Sequence, residues 1–193
     1  MGKEKYLKDV EALFKKSPVV SYSSIEKIVK SKKNVRQYAK QLVRNLILQG
    51  KIKRLTKGYY TSHDEPSLIV FCFKPSYLGL QDALSFHNLW EQETIPVIIT
   101  ARKVRQGIRN FSGANILIRR IDKRYLFGFD YHKSGDFFLP YSDIEKTFID
   151  MIHFRERISN VKAIAKDLDR KKLEFYLKAY PPIIKKKIRE YLK

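Results

Sequence analysis

Residues 34–61 read NVRQYAKQLVRNLILQGKIKRLTKGYYT, and this stretch decides the fold of the N-terminal third. Val35, Tyr38, Ala39, Leu42, Val43, Leu46 and Ile47 recur at the three-to-four-residue spacing of an amphipathic helix. Asn34 stands where a helix takes its cap, and Gly50 where a helix favours glycine after its last turn. Arg36, Gln37, Lys40 and Arg44 share the opposite side of that helix. Beyond Gly50, Ile52-Lys53-Arg54-Leu55 and Tyr59-Tyr60-Thr61 read as two short β runs around the turn Thr56-Lys57-Gly58.

Upstream, Tyr6, Leu7, Val10, Leu13 and Phe14 give a first amphipathic helix, stopped by Ser17-Pro18 because the residue before proline is driven from helical geometry. Ser21 or Ser23 can cap a short second helix whose apolar face is Ile25, Ile28 and Val29. Three helices followed directly by a basic hairpin form the pattern of a winged helix-turn-helix, expected over residues 1–61. In such a fold an exposed Arg, Gln and Lys face suits the DNA major groove, where Arg grips guanine bidentately and Gln pairs with adenine. The candidate DNA-binding residues are therefore Asn34, Arg36, Gln37, Lys40 and Arg44 on the third helix. Lys51, Lys53, Arg54 and Lys57 of the hairpin would follow the phosphates. Two rival readings stay open at this level: an ordinary solvated face, and a winged helix used as a protein adaptor.

The charge supports an anionic partner. The 193 residues carry 40 Lys+Arg against 20 Asp+Glu, a formal +20. Residues 1–61 hold 16 basic and 4 acidic side chains, residues 62–154 hold 11 of each, and residues 155–193 hold 13 and 5. The basic C-terminal third reads equally as an anion-binding surface or as lysines that keep a helical face solvated. Twelve Tyr and twelve Phe argue for a packed core rather than a disordered basic tail. A single cysteine, Cys72, excludes an internal disulfide and a multi-cysteine metal site. No apolar run reaches the roughly 18 residues of a spanning helix, and the charged start Met1–Lys5 lacks a secretory signal's apolar run. A cytoplasmic protein without a membrane partner is expected.

His63-Asp64-Glu65-Pro66 is a polar joint, and residues 66–193 are expected to form a mixed α/β domain with a helical tail, an α+β protein overall. Leu68–Phe73 is either a strand or a buried helical turn. A helix is expected over Leu80–Leu89, and the runs 95–100, 116–121 and 125–131 are expected to join one antiparallel sheet. Ser142 stands as the cap of a helix to His153, with Asp143 and Glu145 suiting its dipole. From Val161 the chain reads as two helices broken at Pro181-Pro182.

Residues arranged for catalytic chemistry are sparse in the sequence. His63, His87, His132 and His153 are scattered and form no zinc pair. Asp82, Glu91, Glu93 and Lys103 make a loose carboxylate-and-lysine pattern of the kind a metal-dependent nuclease needs, but Glu91 and Glu93 precede Pro96, outside the expected strand. Neither a phosphate-binding glycine loop nor a nucleophile elbow is present. The reading is a non-enzyme with no catalytic residue, cofactor or metal, a nuclease being the lesser alternative. His87 is expected to be a hydrogen-bonded structural histidine and Trp90 to pack on the sheet.

The string Tyr77-Leu78-Gly79-Leu80-Gln81-Asp82-Ala83-Leu84-Ser85-Phe86-His87-Asn88-Leu89 resembles the Tyr-hydrophobic-x-x-x-x-Ala-Leu-x-x-His-x-Leu block of the AbiEi family of type IV antitoxins. A β run ending Thr100-Ala101-Arg102-Lys103 and a paired hydrophobic block from Ile116 to Gly128 follow in the family's order. Pro140, Glu145-Lys146 and Asp150 are similar to its Pro-Glu-Lys-Ala-Leu-x-Asp helix start, although Pro140 stands apart from Glu145 and Thr147-Phe148 replaces Ala-Leu. Lys57-Gly58-Tyr59-Tyr60 resembles the way its wing ends, and the likeness spans roughly residues 18–153. The resemblance implies an N-terminal winged helix on double-stranded operator DNA, repression of the chain's own operon, and an antitoxin C-terminal domain. It also implies functional pairing with a nucleotidyltransferase-like toxin without a stable complex. A stand-alone regulator is the alternative where no toxin gene is adjacent.

Overall fold

Five strands of the central sheet and all but one of its helices lie C-terminal to residue 80, whereas the first sixty residues close their own small core. The computed structural model describes residues 5–29, 34–111, 113–158 and 161–192. The chain divides into two units: Met1–Cys72 with Phe111–Gly113, and Phe73–Asn110 with Ala114–Lys193.

In the first unit, α1 (Lys5–Lys16), β1 (Val20–Ser21), α2 (Tyr22–Ile28) and α3 (Val35–Leu48) precede a hairpin of β2 (Lys53–Thr56) and β3 (Tyr59–Thr61). Ser21 caps α2, its Oγ accepting the Ser24 N–H at 3.1 Å. Asn34 occupies the cap position of α3, but its side chain makes no capping hydrogen bond. The other end of α3 closes as expected. Gly50 takes φ +67, its N–H bonds Ile47 O and the Lys51 N–H bonds Leu46 O, each at 3.0 Å. That double bond satisfies two carbonyls a helix end otherwise leaves open, and the left-handed residue between them favours glycine.

Antiparallel pairing sets the three strands in the order β1-β3-β2, with a register shift between Arg54 and Thr56. Val10, Phe14, Val20, Ile25, Ala39, Val43, Leu46 and Ile52 meet in one apolar cluster. Ile47 departs from the stripe that spacing assigned it. It is 39% exposed, and Leu48 beside it 74%.

Pro66–Phe73 forms a 3-10 helix, which resolves the ambiguous apolar run. The second unit then holds β4 (Ser76–Leu78), α4 (Leu80–Phe86), β5 (Val97–Thr100), β6 (Gly107–Phe111) and β7 (Ala114–Arg120). A second 3-10 turn (Lys123–Tyr125), β8 (Phe129–Ser134), β9 (Phe137–Ser142) and α5 (Ile144–His153) follow. Six strands order as β6-β7-β5-β4-β9-β8. The sheet is mixed: β4–β5 and β8–β9 run antiparallel, but β4–β9 and β5–β7 run parallel, which corrects the all-antiparallel expectation. The cause is topological. Neither parallel pair is consecutive in the chain: β6 intervenes between β5 and β7, and β5 to β8 intervene between β4 and β9, so each strand can return in the direction of its neighbour.

Two further expectations change. The cap of α5 is Asp143, whose carboxylate accepts the Lys146 N–H at 2.7 Å, because Ser142 still belongs to β9 and its hydroxyl bonds Thr147 Oγ1 at 2.7 Å. The tail is three helices, not two: α6 (Val161–Asp167), α7 (Arg170–Leu177) and α8 (Pro182–Tyr191). Asp169 starts α7 by accepting the N–H groups of Lys171 and Lys172, and this cap makes the extra break. Helix α5 is buried from Glu145 to Ile152 and packs against α4, α6, α7 and α8. No helix among the described residues is long and apolar enough to cross a membrane.

Candidate nucleic-acid interface

The interior of the first unit takes one face of α3 and leaves the other open. Ala39, Leu42, Val43 and Leu46 are buried, while Asn34, Arg36, Gln37, Lys40 and Arg44 are all exposed. The periodicity makes this separation unavoidable, since residues four apart stack on one side of a helix. Helix α3 contains no acidic residue. The Arg36 side chain is 88% exposed, with Nε 3.8 Å from Glu26 Oε1 on α2. Its carbonyl accepts the Tyr22 hydroxyl at 3.0 Å, which ties the start of α3 to α2. Lys40 and Arg44 make no ion pair among the described residues. The face is an open row of guanidinium, carboxamide and ammonium groups.

The hairpin behaves differently. Lys51 Nζ bonds Glu11 Oε1 on α1 at 2.6 Å, and Lys53 Nζ makes a short ion pair with Asp64. The hydrogen bond from Lys53, and then its charge, hold Asp64 below the usual carboxylate range. The Nε–H of Arg54 donates to Thr56 O at 3.3 Å. Lys57 lies exposed at the turn, where Gly58 takes φ +80 and its carbonyl accepts the Tyr22 N–H at 2.8 Å. Of the nine candidate residues, Gln37, Lys40, Arg44 and Lys57 are unencumbered among the described residues. Arg36 lies within reach of Glu26, Arg54 bonds its own hairpin, Lys51 and Lys53 already face carboxylates, and Asn34 stands at the start of α3. Sequence spacing alone could not show this, because Glu11 and Asp64 lie 40 and 11 residues away from their partners.

The second unit holds a buried polar cluster built on α5. Lys146 and Asp150, one helical turn apart, are both 0% exposed and form a short ion pair. Tyr77 donates its hydroxyl to Asp150 Oδ2 at 2.6 Å. The ammonium of Lys146 lies 5.3, 5.6 and 5.9 Å from the ring centres of Tyr77, Phe127 and Tyr180, an aromatic enclosure. Burial pulls the Lys146 pKa below its ordinary value even against the charge of Asp150. Burial, then the charge of Asp150, push Tyr77 well up. Gly128, at φ +69, is required here, because a Cβ would stand 2.8 Å from Lys146 Cβ and 2.9 Å from a Tyr176 ring carbon. At the mouth of α5, Asp143 accepts the Tyr176 hydroxyl at 2.7 Å and pairs with Lys172 at 3.0 Å, and Glu145 pairs with the same lysine at 3.2 Å. Enclosed on every side, this cluster suits holding α5 in place rather than meeting a substrate.

The residues weighed for a nuclease do not converge. Asp82 is buried and accepts the Val97 N–H at 3.1 Å, whereas Glu91, Glu93 and Lys103 are exposed on stretches without regular structure. No group of three His, Cys, Asp or Glu suited to a metal occurs among the described residues. His87 shares a 2.8 Å hydrogen bond with Ser142 O, and Trp90 packs on the core of the second unit.

No family model matches the chain, and no curated protein matches it. Among solved structures it is similar to the crystal structure of the RV2827C protein from Mycobacterium tuberculosis. The TM-score is 0.59 at 12% identity, over 95% of this chain and 74% of the other. That likeness is one of fold.

Proposed function

We propose that the chain is a DNA-binding transcriptional repressor of the cytoplasm whose first unit is a winged helix-turn-helix, and that it is the antitoxin of a type IV toxin–antitoxin pair. The observation that carries the DNA reading is the acid-free outer face of α3, with Arg36, Gln37, Lys40 and Arg44 all open to solvent. The helix would lie in the major groove of operator DNA, and the β2–β3 turn with Lys57 and Arg54 would meet the flanking phosphates. The antitoxin reading rests on the block likeness to the AbiEi family. Its Glu145, Lys146 and Asp150 are the side chains that anchor α5. The toxin would be countered without a stable complex, and no cofactor or metal takes part.

The test is fluorescence anisotropy of the full chain with duplexes tiling the upstream region of its own operon. One segment bound far more tightly than scrambled duplex supports the reading; equal affinity for all duplexes refutes sequence-selective repression. Co-expression with a nucleotidyltransferase-like neighbour tests the antitoxin role separately. A second reading, a protein adaptor, is favoured by one observation: Ile47 and Leu48 stand exposed at the end of α3. It requires a partner to protect those two side chains and DNA affinity to be weak and unselective.

A further inference from the structure

Among the described residues three helices end on a left-handed residue, and the residue chosen differs each time. Gly50 closes α3 and Asn88 follows α4, the two residue types that tolerate this geometry best. After α5 the position is held by Arg155, at φ +59. The hydrogen bonds are those of the same cap: the Arg155 N–H reaches Ile152 O at 3.2 Å and the Glu156 N–H reaches Met151 O at 2.8 Å. An arginine there is strained where a glycine would be relaxed, and such residues collect where a side chain is used.

The side chain of Arg155 lines a cleft of about 480 Å³, together with Ile152, Glu156, Lys187, Glu190 and Tyr191. Glu156 is already engaged by a short ion pair with Arg119, whose Nε–H is buried without an acceptor among the described residues. Arg155 and Lys187 make no ion pair among those residues, so the cleft keeps an excess of cationic donors. Glu190 provides an acceptor on the same wall, and Tyr191, half exposed, a flat ring.

We propose that this cleft, between the last turn of α5 and α8, binds a nucleotide. Arg155 and Lys187 grip its phosphate, since a guanidinium and an ammonium meet phosphate oxygens through charge-assisted hydrogen bonds. Tyr191 stacks on the base, and Glu190 accepts from the N–H groups at the base edge. The proposal is independent of the DNA reading, because it lies wholly in the second unit.

Thermal unfolding of the full chain with and without nucleoside monophosphates, inorganic pyrophosphate or free nucleosides is the experiment. A nucleoside monophosphate is expected to raise Tm by several degrees at millimolar concentration, more than either pyrophosphate or the nucleoside. Arg155→Gly separates strain from function: the ligand-free Tm is expected to rise while the nucleotide shift disappears. Lys187→Ala should leave the ligand-free Tm unchanged and weaken the shift at least fivefold in concentration. The proposal is overturned if no nucleotide shifts Tm, if pyrophosphate does so equally, or if Arg155→Gly and Lys187→Ala both retain the wild-type shift.

Discussion

Arg36 and Lys57 are both exposed cations, yet they should fail differently when removed. Arg36 lies on the outer face of α3, where a bidentate contact to guanine would carry base preference. Arg36→Ala or Arg44→Ala should cost about 1–3 kcal/mol of binding and relax preference at one position, whereas Lys57→Ala should weaken all duplexes alike and lower the salt slope by about 1. Competition titrations with single-base operator variants measure both; a uniform loss from Arg36→Ala would demote that residue to a backbone contact. In the second unit the decisive residues are Lys146 and Asp150. Removing one partner strands a charge that no water reaches, so Lys146→Ala or Asp150→Ala should destabilise by about 3–5 kcal/mol in urea unfolding. Replacing the pair together by Met and Leu should recover much of the loss, because two apolar chains leave no uncompensated charge. Recovery of nothing would mean that packing, rather than the stranded charge, sets the cost.

Elements decide which of those residues are free to act. Both Lys51, after α3, and Lys53, at the start of β2, face carboxylates that a phosphate would have to displace. Glu11→Gln and Asp64→Asn should therefore tighten duplex binding at low salt, each by a few-fold as measured by anisotropy; unchanged affinity would mean that neither lysine meets the backbone. At the junction of α5 and α7 the tyrosines respond to alkali. Burial, then the hydrogen bond to Asp143 and its charge, push Tyr176 up to about 12 from an ordinary 10, and Tyr77 and Tyr180 are raised by burial and by the charge of Asp150. Each holds its proton more tightly when folded, so this stabilisation is intact below pH 10 and declines above it, the contribution of Tyr176 being lost as pH rises through about 12. Lys146 has the opposite sign, its lowered pKa adding stability as pH climbs toward 10.5. Denaturant midpoints should fall between pH 10 and 12, and Tyr176→Phe should flatten part of that fall; an unaltered slope would dissociate Tyr176 from it. The helices of the first unit were legible because each has a period, a cap or a stop: Ser21, Pro18 and Gly50 act through local geometry. The strands of the second unit were only partly legible. β4 is three residues long and β9 carries Pro140, so neither displays an alternating pattern, and parallel pairing is a property of the crossovers rather than of any strand.

For the whole molecule, the distribution of charge sets what binding can look like. The first 61 residues carry a net +12, the central 62–154 are neutral and residues 155–193 carry +8, so the positive charge is gathered in two separate regions rather than spread evenly. The site was legible to the extent that it is a helix face; the carboxylates that restrain Lys51 and Lys53 were not, because only the folded chain brings Glu11 and Asp64 to them. Fields of this kind act through the counterions that DNA releases when its phosphates are neutralised, and the release is read in salt dependence. With six to ten phosphate contacts per bound unit or pair of units, affinity should drop by about 10³–10⁵ between roughly 50 and 200 mM salt. If only the unencumbered cations of one copy engage, fewer contacts form and the slope of log affinity against log salt should be about half as steep. Measuring that slope for the wild type and for the combined Glu11→Gln, Asp64→Asn chain distinguishes the cases. A steeper slope in the variant means that the two lysines join the contact once released, whereas an identical slope means that α3 and the turn carry it alone. A slope near zero in both would leave the +12 without a polyanion to answer it and would refute the DNA-binding reading for this unit.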